Sequence, residues 1–253
     1  MQRDWIIPDW PVPSHVRACI TTREGGVSLS PYESLNLGVH VGDDPEAVLK
    51  NRQILRDSLS LQREPQWLEQ VHGVKVVEAH TDGLVRTADA SFTDQVGVAC
   101  LVMTADCLPI LLCDKAGTKV AALHCGWRSL AKGICSEALV QLGIAPDQLL
   151  AYLGPAISQD NFEVGVDVLE AFFDASRNTA HTDAVAAAFK PARRPLHFYA
   201  DIYALARAEL VALGVESIYG GGECTFGDTR FYSYRRDKTT GRMASLIWLE
   251  PTA

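Results

Sequence analysis

The chain has 253 residues, enough for one large domain or two small ones. Apolar residues make up 47% and charged residues 21%, which excludes a disordered chain, a collagen-like fibre and a coiled coil. The formal net charge of −8 disfavours binding to nucleic acid or an anionic membrane, although a local basic cluster can still hold a phosphate.

The opening segment MQRDWIIPDWPVP has no continuous apolar stretch, because prolines and aspartates interrupt it, so it is not expected to be a signal peptide. The run Val96 to Cys113 is 18 residues long, near the lower limit for a membrane span. Asp106 and Pro109 break it, and it reads instead as two buried strands, Val96 to Met103 and Leu108 to Leu112, joined by a turn. A turn signal at Asp114 to Gly117 and a third apolar run, Lys119 to His124, predict a hairpin. A helix is predicted over Ser129 to Leu142, stopped by Gly143, followed by a strand at Leu149 to Leu153.

Arg177 to Pro195 reads as a surface excursion, part helix and part loop. Ile202, Leu205, Ala206, Leu210 and Leu213 recur at helical spacing after Asp201, a candidate N-cap, and before Gly214, a stop. Strands at Glu216 to Tyr219 and Ala244 to Leu249 close the chain. With no internal repeat or long polar linker, residues 1–253 read as a single α+β domain of mixed sheets covered by helices.

Seven cysteines, an odd number with no CxxC pair, predict free thiols in a reducing cytoplasm. Three polar side chains stand at the ends of apolar runs: His72 in LEQVHG, Cys107 in TADC and His124 in KVAALH. Two imidazoles and a thiolate can hold zinc with one position left for water, whose pKa zinc lowers to about 7; the same donors suit copper. The alternatives are a metal-free Cys107–His124 nucleophile pair, or a small buried Cys with two structural histidines. His80, His181 and His197 read as structural.

Asp106 is a candidate to orient a ligand or move a proton. Arg128, at a predicted strand-to-helix turn, and Arg23, beside Gly25-Gly26, are candidate phosphate contacts. Asn36 is either a turn residue or a substrate contact, and the basic tract Tyr234 to Lys238 reads as a solvated turn.

The segments TTREGGVSLSPYESLNLGVHVGDDPEAV, WLEQVHG, VMTADCLPILL, HCGWR, LGPAI with FEVG, and FYSYRRDKTTGRMASLIWL run from residue 21 to 249. In these segments and their order the chain resembles the bacterial laccase-domain family, described both as polyphenol oxidases and as purine nucleoside phosphorylases. The resemblance implies a four-layer α/β/β/α fold similar to the catalytic domain of a cytotoxic necrotizing-factor toxin. It implies zinc on His72, Cys107 and His124, with copper in the oxidase version. It further implies a cytoplasmic enzyme that splits adenosine, inosine, guanosine and methylthioadenosine with phosphate and also deaminates adenosine. A cell-wall quality-control role against wrongly built peptidoglycan precursors is also implied, and a metal-free Cys107–His124 hydrolase acting on such precursors is the rival reading. Neither nucleic acid nor membrane is an expected partner, and a monomer is favoured. Two departures stand out: Cys125 and Ser129 in HCGWRS, where the family commonly has HAGWRG, and Ser158 in place of a glycine after GPAI. Cys125 is thereby expected to set a second thiol beside a ligand.

Overall fold

A computed structural model describes residues 4–252. Its centre is a six-stranded sheet in the order Ser217–Gly220, Leu149–Leu153, Leu108–Asp114, Val120–Cys125, Ala90–Thr93 and Val76–Glu78. The inner pairings are antiparallel and the two outermost are parallel, so the sheet is mixed. The expected hairpin is present, with Leu108 opposite Cys125 and Pro109 opposite His124.

Alternation along the central strands builds two cores. Leu108, Ile110, Leu112, Ala121, Leu123 and Cys125 face the helices Ile134–Leu142 and Ile202–Ala212. Leu111, Cys113, Val120 and Ala122 point the other way, against Cys100, Val102 and Ile247 of a three-stranded antiparallel sheet. That sheet pairs Val16–Ile20 and Ala99–Thr104 with Met243–Leu249 between them. Its far face presents Leu101, Leu246 and Trp248 to Leu55 of the helix Pro45–Ser58. The result is helix, sheet, sheet, helix, the α+β arrangement with mixed sheets expected from the sequence. Period-two burial on both faces of each sheet is what such a stack requires.

The apolar run that begins near Val96 does not form two adjacent strands. Ala99–Thr104 belongs to the three-stranded sheet and Leu108–Asp114 to the six-stranded one. The break at Ala105–Cys107 is the point where the chain crosses between sheets, with Asp106 at φ 88°. The single helix predicted from Ser129 is two, Trp127–Ala131 and Ile134–Leu142. Gly133, at φ 89°, bends the chain between them, a conformation that costs a side chain about 1–2 kcal/mol. Asp201 caps its helix as expected, its carboxylate accepting from the N–H groups of Tyr203 and Ala204 at 3.0 Å each. The helix Pro45–Ser58 was not anticipated; Asp44 caps it by accepting from Glu46 N at 3.0 Å. The excursion after Arg177 holds the helix Thr179–Ala187 and the short strand Phe189–Pro191, and His181 within it is buried.

Candidate metal centre and its two-sided cavity

His72, Cys107 and His124 come from three separate places in the chain and meet where the sheets diverge. His124 is the next-to-last residue of the strand Val120–Cys125, on the face that looks toward the second sheet, and is 3% exposed. Cys107 sits on the crossing segment, and His72 on an exposed turn with φ 57°. Their ligand atoms lie within 4.8 Å of one another, with His72 Nε2 3.8 Å from Cys107 Sγ. The two imidazole rings meet edge to face, centroids 4.7 Å apart. A soft sulfur and two imidazole nitrogens at this spacing fit a single zinc or copper ion.

Gly126 makes the convergence possible. A Cβ there would lie 2.9 Å from His72 Cδ2, closer than side chains stand, and 3.1 Å from Cys107 Sγ, a tight contact.

Asp89, which the sequence reading missed, organises the cluster. Its fully buried carboxylate accepts from His124 Nδ1 at 2.8 Å and from the backbone N–H groups of His72 at 2.9 Å, Gly73 at 2.7 Å and Val71 at 3.2 Å. An ionised carboxylate can only accept, so the His124 proton is on Nδ1 and Nε2 is left for a ligand. Burial opposes the Asp89 charge, but the His124 and backbone donors overcome it and hold the carboxyl below its ordinary value. Asp89 lies between the apolar residues Ala88 and Ala90, and no spacing rule ties it to His72 or His124; only the fold does.

Burial also works against the Cys107 thiolate, yet the imidazoles of His124 and His72 outweigh it and bring the thiol down to about 6. Burial likewise disfavours a charged His124, and Cys107 and Asp89 carry it up to about 9. Cys125 takes no part. It points to the opposite face of the strand, into the core beneath the helices, where burial and Cys135 push its thiol up. The expectation of a second thiol beside the ligands is corrected by strand alternation.

Two cavities meet at the cluster and share His72, Ala105, Cys107 and Tyr234 in their walls. One is aromatic and apolar, walled by Trp127, Phe162, Ile157 and Ile202, with Asp106, Arg128 and Arg235 among its polar groups. The Arg128 guanidinium lies over the Trp127 ring at 4.2 Å and that of Arg235 over Phe162 at 5.5 Å. The other contains His40, Gln70, Thr104 and Arg242.

The Asp106 carboxylate makes no hydrogen bond to any of the three ligand side chains. It accepts from Thr225 Oγ1 at 2.7 Å and from Arg235 N at 2.6 Å, so the orienting contact expected of it is made by Asp89. Arg128 lines the aromatic side as an exposed residue. Arg23 lies in neither cavity; its Nε donates to Glu33 O at 2.7 Å and its guanidinium sits over Tyr232. Asn36 is fully buried and spends its amide on backbone and on Asp43, so it is no direct substrate contact. The tract Tyr234 to Lys238 is not a solvated turn: Tyr234–Asp237 is a short helix that brings Tyr234 and Arg235 to the cavity. Arg242 and His40 were not anticipated, and neither stands in a pattern that marks it.

A four-layer α/β/β/α enzyme with a His–Cys–His cluster at its sheet crossing is the class that fold and site define. The chain belongs to the family described as multi-copper polyphenol oxidoreductase laccase, whose profile matches residues 17–250. It is 55% identical over 247 residues to a purine nucleoside phosphorylase of Pseudomonas aeruginosa, covering 97% of this chain and 98% of that protein. It is 49% identical over 251 residues to the purine nucleoside phosphorylase YfiH of Escherichia coli, covering 96% and 98%. Among solved structures, a Neisseria meningitidis protein superimposes with a TM-score of 0.92 at 49% identity, over 98% of this chain and all of that one (100%). YlmD from Geobacillus stearothermophilus does so with a TM-score of 0.89 at 29% identity, over 99% and 98%.

Proposed function

We propose that the protein is a zinc-dependent purine nucleoside phosphorylase acting on adenosine, inosine, guanosine and methylthioadenosine, with adenosine deamination as a second activity. The observation that carries this is the His72–Cys107–His124 cluster at the junction of an aromatic cavity and a more polar one that holds Arg242. A purine nucleoside has a flat base and a polar sugar, and such a junction suits both. Relatives that share nearly the full chain length and are named purine nucleoside phosphorylase support it.

His72, Cys107 and His124 would hold the ion, which when bound supplies Lewis acidity beside the sugar. The Trp127 and Phe162 rings stack and orient the base, and Tyr234 stands where the two sides meet. In the reaction a phosphate oxygen bonds to C1′ of the ribose and the C1′–N9 bond breaks. N9 keeps the electron pair and takes one proton, giving free purine and ribose 1-phosphate. Asp106, fixed by Thr225 and the backbone of Arg235, faces the aromatic side and would orient polar groups of the base. Seven free cysteines are compatible with a reducing cytoplasm, where we place the enzyme.

Zinc is preferred to copper because multicopper oxidation needs several coppers, and among the described residues one three-donor cluster is found. A second reading has its own support. Without an ion, Cys107 and His124, whose ligand atoms lie within 4.8 Å of one another, would form a thiolate–imidazolium pair of the kind that attacks amides, as a cell-wall precursor hydrolase would use.

Adenosine and phosphate incubated with the purified protein should give adenine and ribose 1-phosphate by chromatography, and about one zinc per chain should be present. His72→Ala, Cys107→Ala and His124→Ala should each lose the zinc and the activity together. Equal product without phosphate would replace phosphorolysis by hydrolysis. Full activity of His72→Ala and of chelated protein, with rapid alkylation of Cys107, would favour the thiolate mechanism.

A further inference from the structure

We propose that the cavity side formed by Arg242 and His40 is the subsite for inorganic phosphate, and that Asn36 positions it. The proposal rests on the phosphorylase reading for the role of the phosphate, but the site itself rests on geometry.

The Arg242 guanidinium is tied to backbone on one side only: Nη1 donates to Thr240 O at 3.0 Å and to Gly241 O at 2.9 Å. Among the described residues Nε and Nη2 have no partner, and no carboxylate oxygen lies within 4.0 Å of the group. Nε–H and Nη2–H stand side by side on the free edge of the guanidinium, the fork that meets two oxygens of a phosphate. Burial leaves this cation short of solvation, and an anion placed on that edge would offset the loss.

The stem is seated tightly. A Cβ on Gly38 would fall 2.9 Å from Arg242 Cγ. The buried Asn36 joins the two segments that carry the subsite: its Oδ1 accepts from Gly38 N and Arg242 N at 2.9 Å each, and its Nδ2 donates to Gly38 O at 3.2 Å. The same clip therefore fixes Arg242 and the start of the turn that leads to His40. His40 and Thr104 line the same side.

Among the described residues no Asp or Glu lines this side; the Asp106 carboxylate of the aromatic side and the Cys107 thiol reach Arg242 electrostatically, but neither is hydrogen-bonded to it. A phosphate dianion on the aromatic side meets that carboxylate in the cavity wall, and on this side it meets the open edge of Arg242. The Arg128 and Arg235 guanidiniums are laid over aromatic rings, where they edge a slot for a flat base.

The test is equilibrium dialysis of the full-length protein as purified with radiolabelled inorganic phosphate, beside steady-state phosphorolysis of adenosine. Arg242→Gln should weaken phosphate binding about tenfold or more, equivalent to about 1.4 kcal/mol, with the KM for adenosine unchanged. Arg242→Lys should restore part of the loss, and Asn36→Ala should mimic Arg242→Gln. His40→Gln reads the same subsite if Arg242→Gln fails to fold.

Unchanged phosphate affinity in Arg242→Gln and His40→Gln overturns the proposal. So does loss of phosphate binding in Arg128→Ala or Arg235→Gln with Arg242→Gln intact. Adenosine 5′-monophosphate is the second arm: if its binding depends on Arg242 and that of free phosphate does not, the side takes a nucleotide phosphate and the proposal falls. Wild-type protein that binds phosphate through Arg242 without cleaving nucleosides keeps the subsite and removes the phosphorylase reading. Phosphate-dependent cleavage that ignores Arg242→Gln does the reverse.

Discussion

The residues that meet at the candidate metal centre are set by Asp89, whose one carboxylate holds the His124 ring and the backbone of the turn that carries His72. Replacing it by Asn keeps the shape but removes the charge and offers an N–H where acceptors are needed. Asp89→Asn should weaken zinc binding by about 10–100-fold, measured by chelator competition, while Asp106→Asn should leave zinc affinity unchanged. Equal zinc affinity in Asp89→Asn would show that His124 is held by packing alone. Asp89 escaped the sequence reading because it is a buried acid between two alanines, and acids in apolar surroundings carry no local mark of their partner.

At the scale of elements, the break between the helices Trp127–Ala131 and Ile134–Leu142 keeps the first turn after His124 short and leaves Trp127 and Arg128 at the cavity. Gly133 enforces it with φ 89° and has open space around it, the nearest atom being Ser136 Cβ at 3.9 Å from an added Cβ. Gly133→Ala should therefore cost conformational strain alone, about 1–2 kcal/mol, with nucleoside cleavage retained. In a thermal melt that is a fall of about 2–4 °C per kcal/mol. The sequence predicted one helix here because Ile134, Ala138 and Leu142 continue the apolar period of the turn before them. A single glycine inside a helical pattern does not say whether it will be tolerated or used to bend the chain.

At the scale of the whole molecule, the site depends on two sheets held at a fixed separation, since Cys107 lies where the chain crosses from one to the other. Leu111 is fully buried in the layer between them. Leu111→Ala should cost about 2–5 kcal/mol, read as a lower urea midpoint with an unchanged slope. A cost near zero would mean that the sheets close over the void. Among the described residues no helix is long and apolar enough to cross a membrane, and the run near Val96 is accounted for by two strands in two sheets.

The sequence alone determined what period and punctuation encode. The hairpin around Asp114 to Gly117 follows from them, as do the Asp201-capped helix and the final strand, because side chains alternate or recur within one element. It also singled out His72, Cys107 and His124, since polar groups that end apolar runs are costly unless they have a use. Tertiary structure decided the rest. It put Ala99–Thr104 and Leu108–Asp114 in different sheets, turned Cys125 away from the cluster, and left Arg23 outside the cavity. It made Asn36 a clip for Arg242 and gave Asp89 its role. Each of these depends on contacts between residues far apart in the chain, and neither alternation nor propensity specifies which distant partner a side chain will meet.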